Sequence, residues 1–220
     1  LVAAEYQVDH GLVVLPGDAE MHHAAGILRQ ANASATVQAA ARMMSAESSR
    51  TMAFAVKDTA ANLHSAERYF RKAVTLDPNH IEARMRLGQA LVDLNRAEEG
   101  AAELRRVAKE STDRRLSYFA NLLLGSAEER LGHADVAVQC YVEAELLFPD
   151  ARSPRFARAA LERRRGQRAL AWEIVQNAAA PPGGYQIDVD PWWTLDRRQV
   201  RPAAALVEEL RALTEGGAER

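Results

Sequence analysis

Glu20, His22 and His23 stand together near the start of the chain and offer the donors that a zinc-type cation takes, imidazole nitrogen and carboxylate oxygen. A metal site needs a third ligand and groups that orient the first ones. Adjacent residues on a helix point about 100° apart, and no His-Glu-x-x-His spacing occurs. His22 and His23 are therefore read as surface or half-buried histidines, and no metal is assigned. His10, His64, His80 and His133 fall at element ends or turns and receive the same reading. Cys140 is the one cysteine. A nucleophilic thiol needs a lowered pKa and a base held beside it, and nothing in the sequence places one, so Cys140 is assigned to packing. Gly-rich phosphate loops, nucleophile elbows and zinc spacings are missing from the sequence. No catalytic residue and no cofactor are assigned, and the chain is read as a non-enzyme.

Two further groups could bind rather than react. Arg152, Arg155, Arg158, Arg163, Arg164, Arg165 and Arg168 crowd one stretch against a single acid, Glu162. Cations near a helix C-terminus are favoured by the helix dipole, so a solvated helix face explains them. A basic patch for an acidic partner is the sharper reading. Nucleic acid is not expected, since the net charge is −2 and the patch has no interleaved exposed aromatics. Trp192 and Trp193 are large side chains seldom left in water. They are read as a tail anchor: one packs back on the preceding helices, and the other is free to face a partner.

The elements that must position these groups are helical. Hydrophobic residues make up 48% of the chain and aromatics 6%. Alanine, the strongest helix former, dominates the apolar share, and no long alternating run suggests strands. Ala66, Phe70, Ala73 and Pro78 reappear as Ala137, Tyr141, Ala144 and Pro149, an offset of 71 residues. The first three positions of each set share one helix stripe, and the proline stops the helix a turn later. An offset of about twice 34 residues points to stacked helix pairs. Leu87-Gly88 and Leu124-Gly125 mark two first helices, with Asn95, Gly132 and Gly166 at the turns between helices. A three-residue insertion is placed within Lys109 to Arg115. The first helix of the unit ending at Pro78 is placed near Ser48 to Ala61, with Phe54 where later units carry glycine. The resulting division is 1–63, degenerate helical pairs; 64–185, repeats (64–78, 81–117, 118–151 and 152–185); and 186–220, a Trp-containing loop and a capping helix. Pro202 opens that last helix, striped by Ala203, Leu206, Val207, Leu210 and Leu213. No apolar run approaches the ~20 residues of a membrane span. The chain starts at Leu1 without an initiator Met, which we read as favouring the bacterial periplasm or secretion over the cytoplasm.

The residues from Asn62 to about Pro182 resemble the tetratricopeptide repeat family. The chain also resembles uncharacterised bacterial repeat proteins that end in a similar Asp-Pro-Trp-Trp segment. The resemblance implies an all-α solenoid of antiparallel helix pairs, with a concave face lined by first helices that binds other proteins. On that basis the partner-binding set is Met85, Arg86, Gln89, Phe119, Leu122, Ser126, Phe156 and Arg163. The Lys, Arg and Asn set with which one subgroup grips a C-terminal carboxylate is missing from the corresponding positions. The expected function is a scaffold binding a protein partner through its concave face or ends. The alternative is a structural subunit of a homomeric filament or envelope assembly. A third reading is a ligand or metal binder using the N-terminal region.

Overall fold

The computed structural model describes residues 2–43, 49–179, 190–192 and 195. All regular structure among them is helical, in nine helices. They fall into two compact units, one built from α1–α4 and the other from α5–α9. The last expected helix, opened by Pro202, lies outside the described residues.

In the first unit α1 spans Val2–Val14, α2 Ala19–Met43, α3 Ser49–Leu76 and α4 Ile81–Asp93. Asp18 starts α2: its Oδ1 accepts the Met21 N–H at 2.8 Å, and Glu20 follows in the first turn, where the helix dipole favours an acid. Val8 of α1 packs on Met21, Ala25 and Leu28 of α2. Ala66 and Phe70 of α3 bury against Leu87, Ala90 and Leu91 of α4. Phe70 is fully buried, a stabilisation of about 1.5–3 kcal/mol for a side chain of that size.

The close approach inside this unit corrects the sequence reading. Gly26 of α2 faces Phe70: a Cβ built on Gly26 would stand 2.6 Å from Cδ1 and 2.8 Å from Cζ of that ring. Gly125 of α6 faces Tyr141 of α7 in the same way. The first helix paired with the Pro78 unit is therefore α2. Ser49 to Ala61 belongs to the same continuous helix, α3, as Phe70. Gly26 precedes Phe70 by 44 residues, whereas Gly125 precedes Tyr141 by 16. A search at the shorter spacing lands on Phe54 and misses the partner.

The second unit comprises α5 (Ala97–Glu110), α6 (Arg114–Arg130), α7 (Ala134–Leu147), α8 (Ser153–Arg164) and α9 (Arg168–Ala179). Consecutive helices pack on each other. Leu104 and Val107 of α5, Tyr118, Leu124 and Ala127 of α6, and Ala137, Tyr141 and Ala144 of α7 are buried. The turns are tight because Gly132 and Gly166 take φ of 80° and 84°, the left-handed region in which a Cβ is strained. The stretch read as an insertion holds only Ser111 to Asp113 between helices. Asp113 Oδ1 accepts the N–H groups of Arg115 and Leu116 at 2.7 and 3.3 Å, so α6 starts at Arg114, earlier than the expected Tyr118. Among the described residues, no helix is long and apolar enough to cross a membrane.

Candidate interaction surface

Burial divides the expected concave set. Met85, Arg86, Phe119 and Leu122 are exposed by 0, 1, 3 and 7%. They are core residues, and the expectation that they form an open apolar floor is corrected at these four. The reason is helical geometry: a first helix of a stacked pair is flanked on several sides, so most of its stripe is consumed by packing. Arg86 is held as a buried cation, with Glu82 Oε1 at 3.7 Å and Gln30 Oε1 at 3.5 Å. Gln89 and Ser126 are half-buried. Phe156 and Arg163 are exposed.

Those two belong to a groove of about 710 Å³ between α8 and α9. Ala159, Ala160 and Ala171 keep its floor low, and Val175 adds an apolar wall. Phe156 is 45% exposed and Trp172 is 63% exposed. Arg163, Arg164 and Arg168 line the same groove. Trp172 did not figure in the sequence reading. It stands one residue after the buried Ala171, outside the Ala–Val–Ala stripe that marks the helix, and only its exposure reveals it.

Three of the seven arginines of the basic patch are paired with acids. Arg164 is paired with Glu129, and Arg165 reaches Asp135 at 2.6 Å and Glu162 at 3.3 Å. Arg158 lies 3.0 Å from Glu145, and Arg155 donates to the Pro149 carbonyl. These links tie α6 and α7 to α8 and its C-cap. Burial pushes the Glu145 carboxyl above its ordinary value, against the pull of Arg158 and Arg155. Among the described residues, Arg163 and Arg168 have no ion-pair partner, and both face the groove.

Asp190 fastens the tail segment. Its carboxylate accepts the Tyr118 hydroxyl at 2.7 Å and the N–H groups of Arg152 and Ser153 at 3.0 and 2.7 Å. It thereby supplies acceptors at the N-terminus of α8, where orphan amides and the dipole favour an anion. Burial, and then Asp190, raise the pKa of Tyr118 far above its ordinary value. Leu195 is buried as well. Trp192 is half-buried and gives its backbone N–H to Asp190 at 3.0 Å. Trp193 lies outside the described residues. Nothing at the level of sequence distinguishes Asp190 from any other loop acid.

Cys140 is buried, and burial followed by the Glu128 charge pushes its thiol up to about 11. That agrees with a packing role. Glu128, almost fully buried, accepts from Arg105 at 2.5 Å and lies 2.8 Å from His133 Nδ1, so His133 fastens the α6–α7 turn.

Residues 60–123 match the family model for the tetratricopeptide repeat. Over that stretch the chain is similar to the tetratricopeptide repeat family. The matched stretch runs from the later part of α3 through α4 and α5 into α6. The chain is also similar to a solved structure from the functional characterization of Pseudomonas aeruginosa pilF. There the TM-score is 0.53 at 17% identity, over 99% of this chain and 98% of that chain, which shows the fold alone. A crystal structure of MamA aligns with TM-score 0.49 and 19% identity over 75% of this chain and 92% of that one. A second MamA structure, AMB-1, gives 0.47 and 16% over 81% and 98%. No curated protein matches the chain.

Proposed function

We propose that this tetratricopeptide-repeat protein is a non-enzymatic scaffold that holds an acidic segment of a partner protein in the groove between α8 and α9. One observation carries the reading: two exposed aromatics, Phe156 and Trp172, share a groove with two arginines lacking ion-pair partners among the described residues. Exposed tryptophan beside unpaired arginine is the composition of interface hot spots. Both side chains present a broad apolar body at low conformational cost, and the arginines favour carboxylates by fork-shaped hydrogen bonding. The repeat fold supports the reading, since the family mediates protein–protein contacts.

The test is site-specific photo-crosslinking in the source cell. A benzophenone residue at position 172 is compared with one at Glu98, an exposed position in the first turn of α5. The expected result is one dominant partner band from position 172, lost when Arg163 and Arg168 are both changed to Glu, and no such band from position 98. Equal labelling from both positions, or a band indifferent to the charge reversal, refutes the groove as the docking surface. A band at twice the chain's own mass refutes the proposed occupant and favours self-assembly.

A further inference from the structure

The third ligand that the sequence did not supply for Glu20 and His23 is His80. Glu20 and His23 lie three residues apart on one side of α2, in the first unit. The turn after α3, through Asp77, Pro78 and Asn79, delivers His80 to the same place as the N-cap of α4. Glu20 Oε2 is 3.6 Å from His23 Nδ1, and Glu20 Oε1 is 3.2 Å from His80 Nε2. The two imidazole rings meet edge to face, with centroids 4.5 Å apart. One donor atom from each of the three residues lies within 4.8 Å of the others.

Two features separate this cluster from an ordinary ion pair. His23 is only 7% exposed, and its Nε2 is buried without a hydrogen-bond partner. His80 Nε2 is also buried without one: it stands near Glu20 but lacks the alignment of a hydrogen bond. Buried polar nitrogens left unpaired are rare and need a reason. Glu20, by contrast, is 64% exposed, so its carboxylate is free to swing.

We propose that Glu20, His23 and His80 bind a single divalent zinc ion that joins the start of α2 to the start of α4. Two imidazoles and one carboxylate are a zinc ligand set that leaves a fourth position open to water or a further donor. With metal–ligand bonds of about 2.0–2.1 Å, tetrahedral ligands sit about 3.3 Å apart. The longest donor separation must therefore close by roughly 1.5 Å, which rotation of the exposed Glu20 side chain and small swings of the two rings provide. Binding has one local consequence. His80 Nδ1 now accepts the Ala83 N–H at 3.2 Å. A neutral imidazole bound to zinc through Nε2 carries its proton on Nδ1, so the Ala83 amide must give up that acceptor. The Ala83 amide is thus a built-in reporter of occupancy.

The experiment uses the full chain, stripped with chelator and titrated with Zn²⁺ by calorimetry, with amide spectra recorded in parallel. The expected result is saturable binding of one equivalent, together with a shift of the Ala83 amide resonance. Glu20→Gln, His23→Gln and His80→Gln should each weaken binding by about 10-fold or more, while His22→Gln leaves it unchanged. Circular dichroism checks that each variant is folded. Should His23→Gln fail to fold, Glu20→Gln decides, since that side chain is exposed. No saturable binding, unchanged affinity in Glu20→Gln and His80→Gln, or a still Ala83 amide at saturation overturns the proposal.

Discussion

Replacing Gly125 with alanine tests whether the spacing of α6 and α7 is set by a missing side chain. A Cβ there would stand 2.7 Å from Cδ1 and 2.8 Å from Cζ of Tyr141. Real Cβ atoms do not approach a ring that closely, so the ring or the helix must move. Tyr141 has little room: it is 2% exposed, and its hydroxyl donates to Glu129 at 2.5 Å. Overpacking a close contact costs about 1–3 kcal/mol. Against it stands the better helix propensity of alanine, about 0.5–1 kcal/mol in the other direction. The net expectation is a loss of about 1–2 kcal/mol, or a melting temperature lower by about 2–8 °C for a chain of this size. Urea denaturation followed by circular dichroism measures it. Gly17→Ala is the control, because a Cβ there meets nothing within 4 Å; its change should stay within about 0.5 kcal/mol. The decisive comparison repeats Gly125→Ala in a Tyr141→Leu background, where the ring is gone and the alanine should be neutral or stabilising. A Gly125→Ala protein as stable as the parent, or one equally weakened in both backgrounds, refutes the reasoning. Gly26→Ala against Phe70 should reproduce the loss in the first unit.

Asp190→Ala strands the Tyr118 hydroxyl and two amides at the start of α8, and should lower stability by about 2–3 kcal/mol in urea titrations, with Asp190→Asn losing clearly less. Cys140, with its thiol pushed up to about 11, should react with a thiol-specific disulfide reagent near pH 8 far more slowly than the same chain in denaturant; equal rates would show that it is not buried. Glu145 is a carboxyl whose folded pKa is raised, so folding disfavours its charged form. Its contribution to stability is greatest below its unfolded value of about 4.3 and declines as pH rises through the higher folded value. The stability difference between the parent and Glu145→Gln should therefore shift against the parent over that window, and a shift in the opposite sense contradicts the sign.

Helix pairs were legible in the residues themselves. A small side chain, an aromatic and a small side chain on one stripe, then a proline, state locally where a helix packs and where it stops. The turns at Asn95, Gly132 and Gly166 were equally plain, because positive φ is a property of a single residue: all three take it. The mistakes came where meaning depended on distance along the chain. Gly26 is the close-approach glycine for Phe70, but a long helical excursion separates them. The arginine cluster looks basic in sequence, yet three of its seven arginines are matched by acids on α6 and α7.

Sequence alone thus determined the helical class, the repeat and its turns, since each rests on periodicity and backbone preference within a few residues. Only the tertiary structure decided which charges are paired, that Asp190 anchors the tail, that Trp172 stands open beside Arg163 and Arg168, and that His80 meets Glu20 and His23. Most of those facts are distances between residues on different helices. Burial and pairing energies depend on those distances, and no local pattern of side chains encodes them.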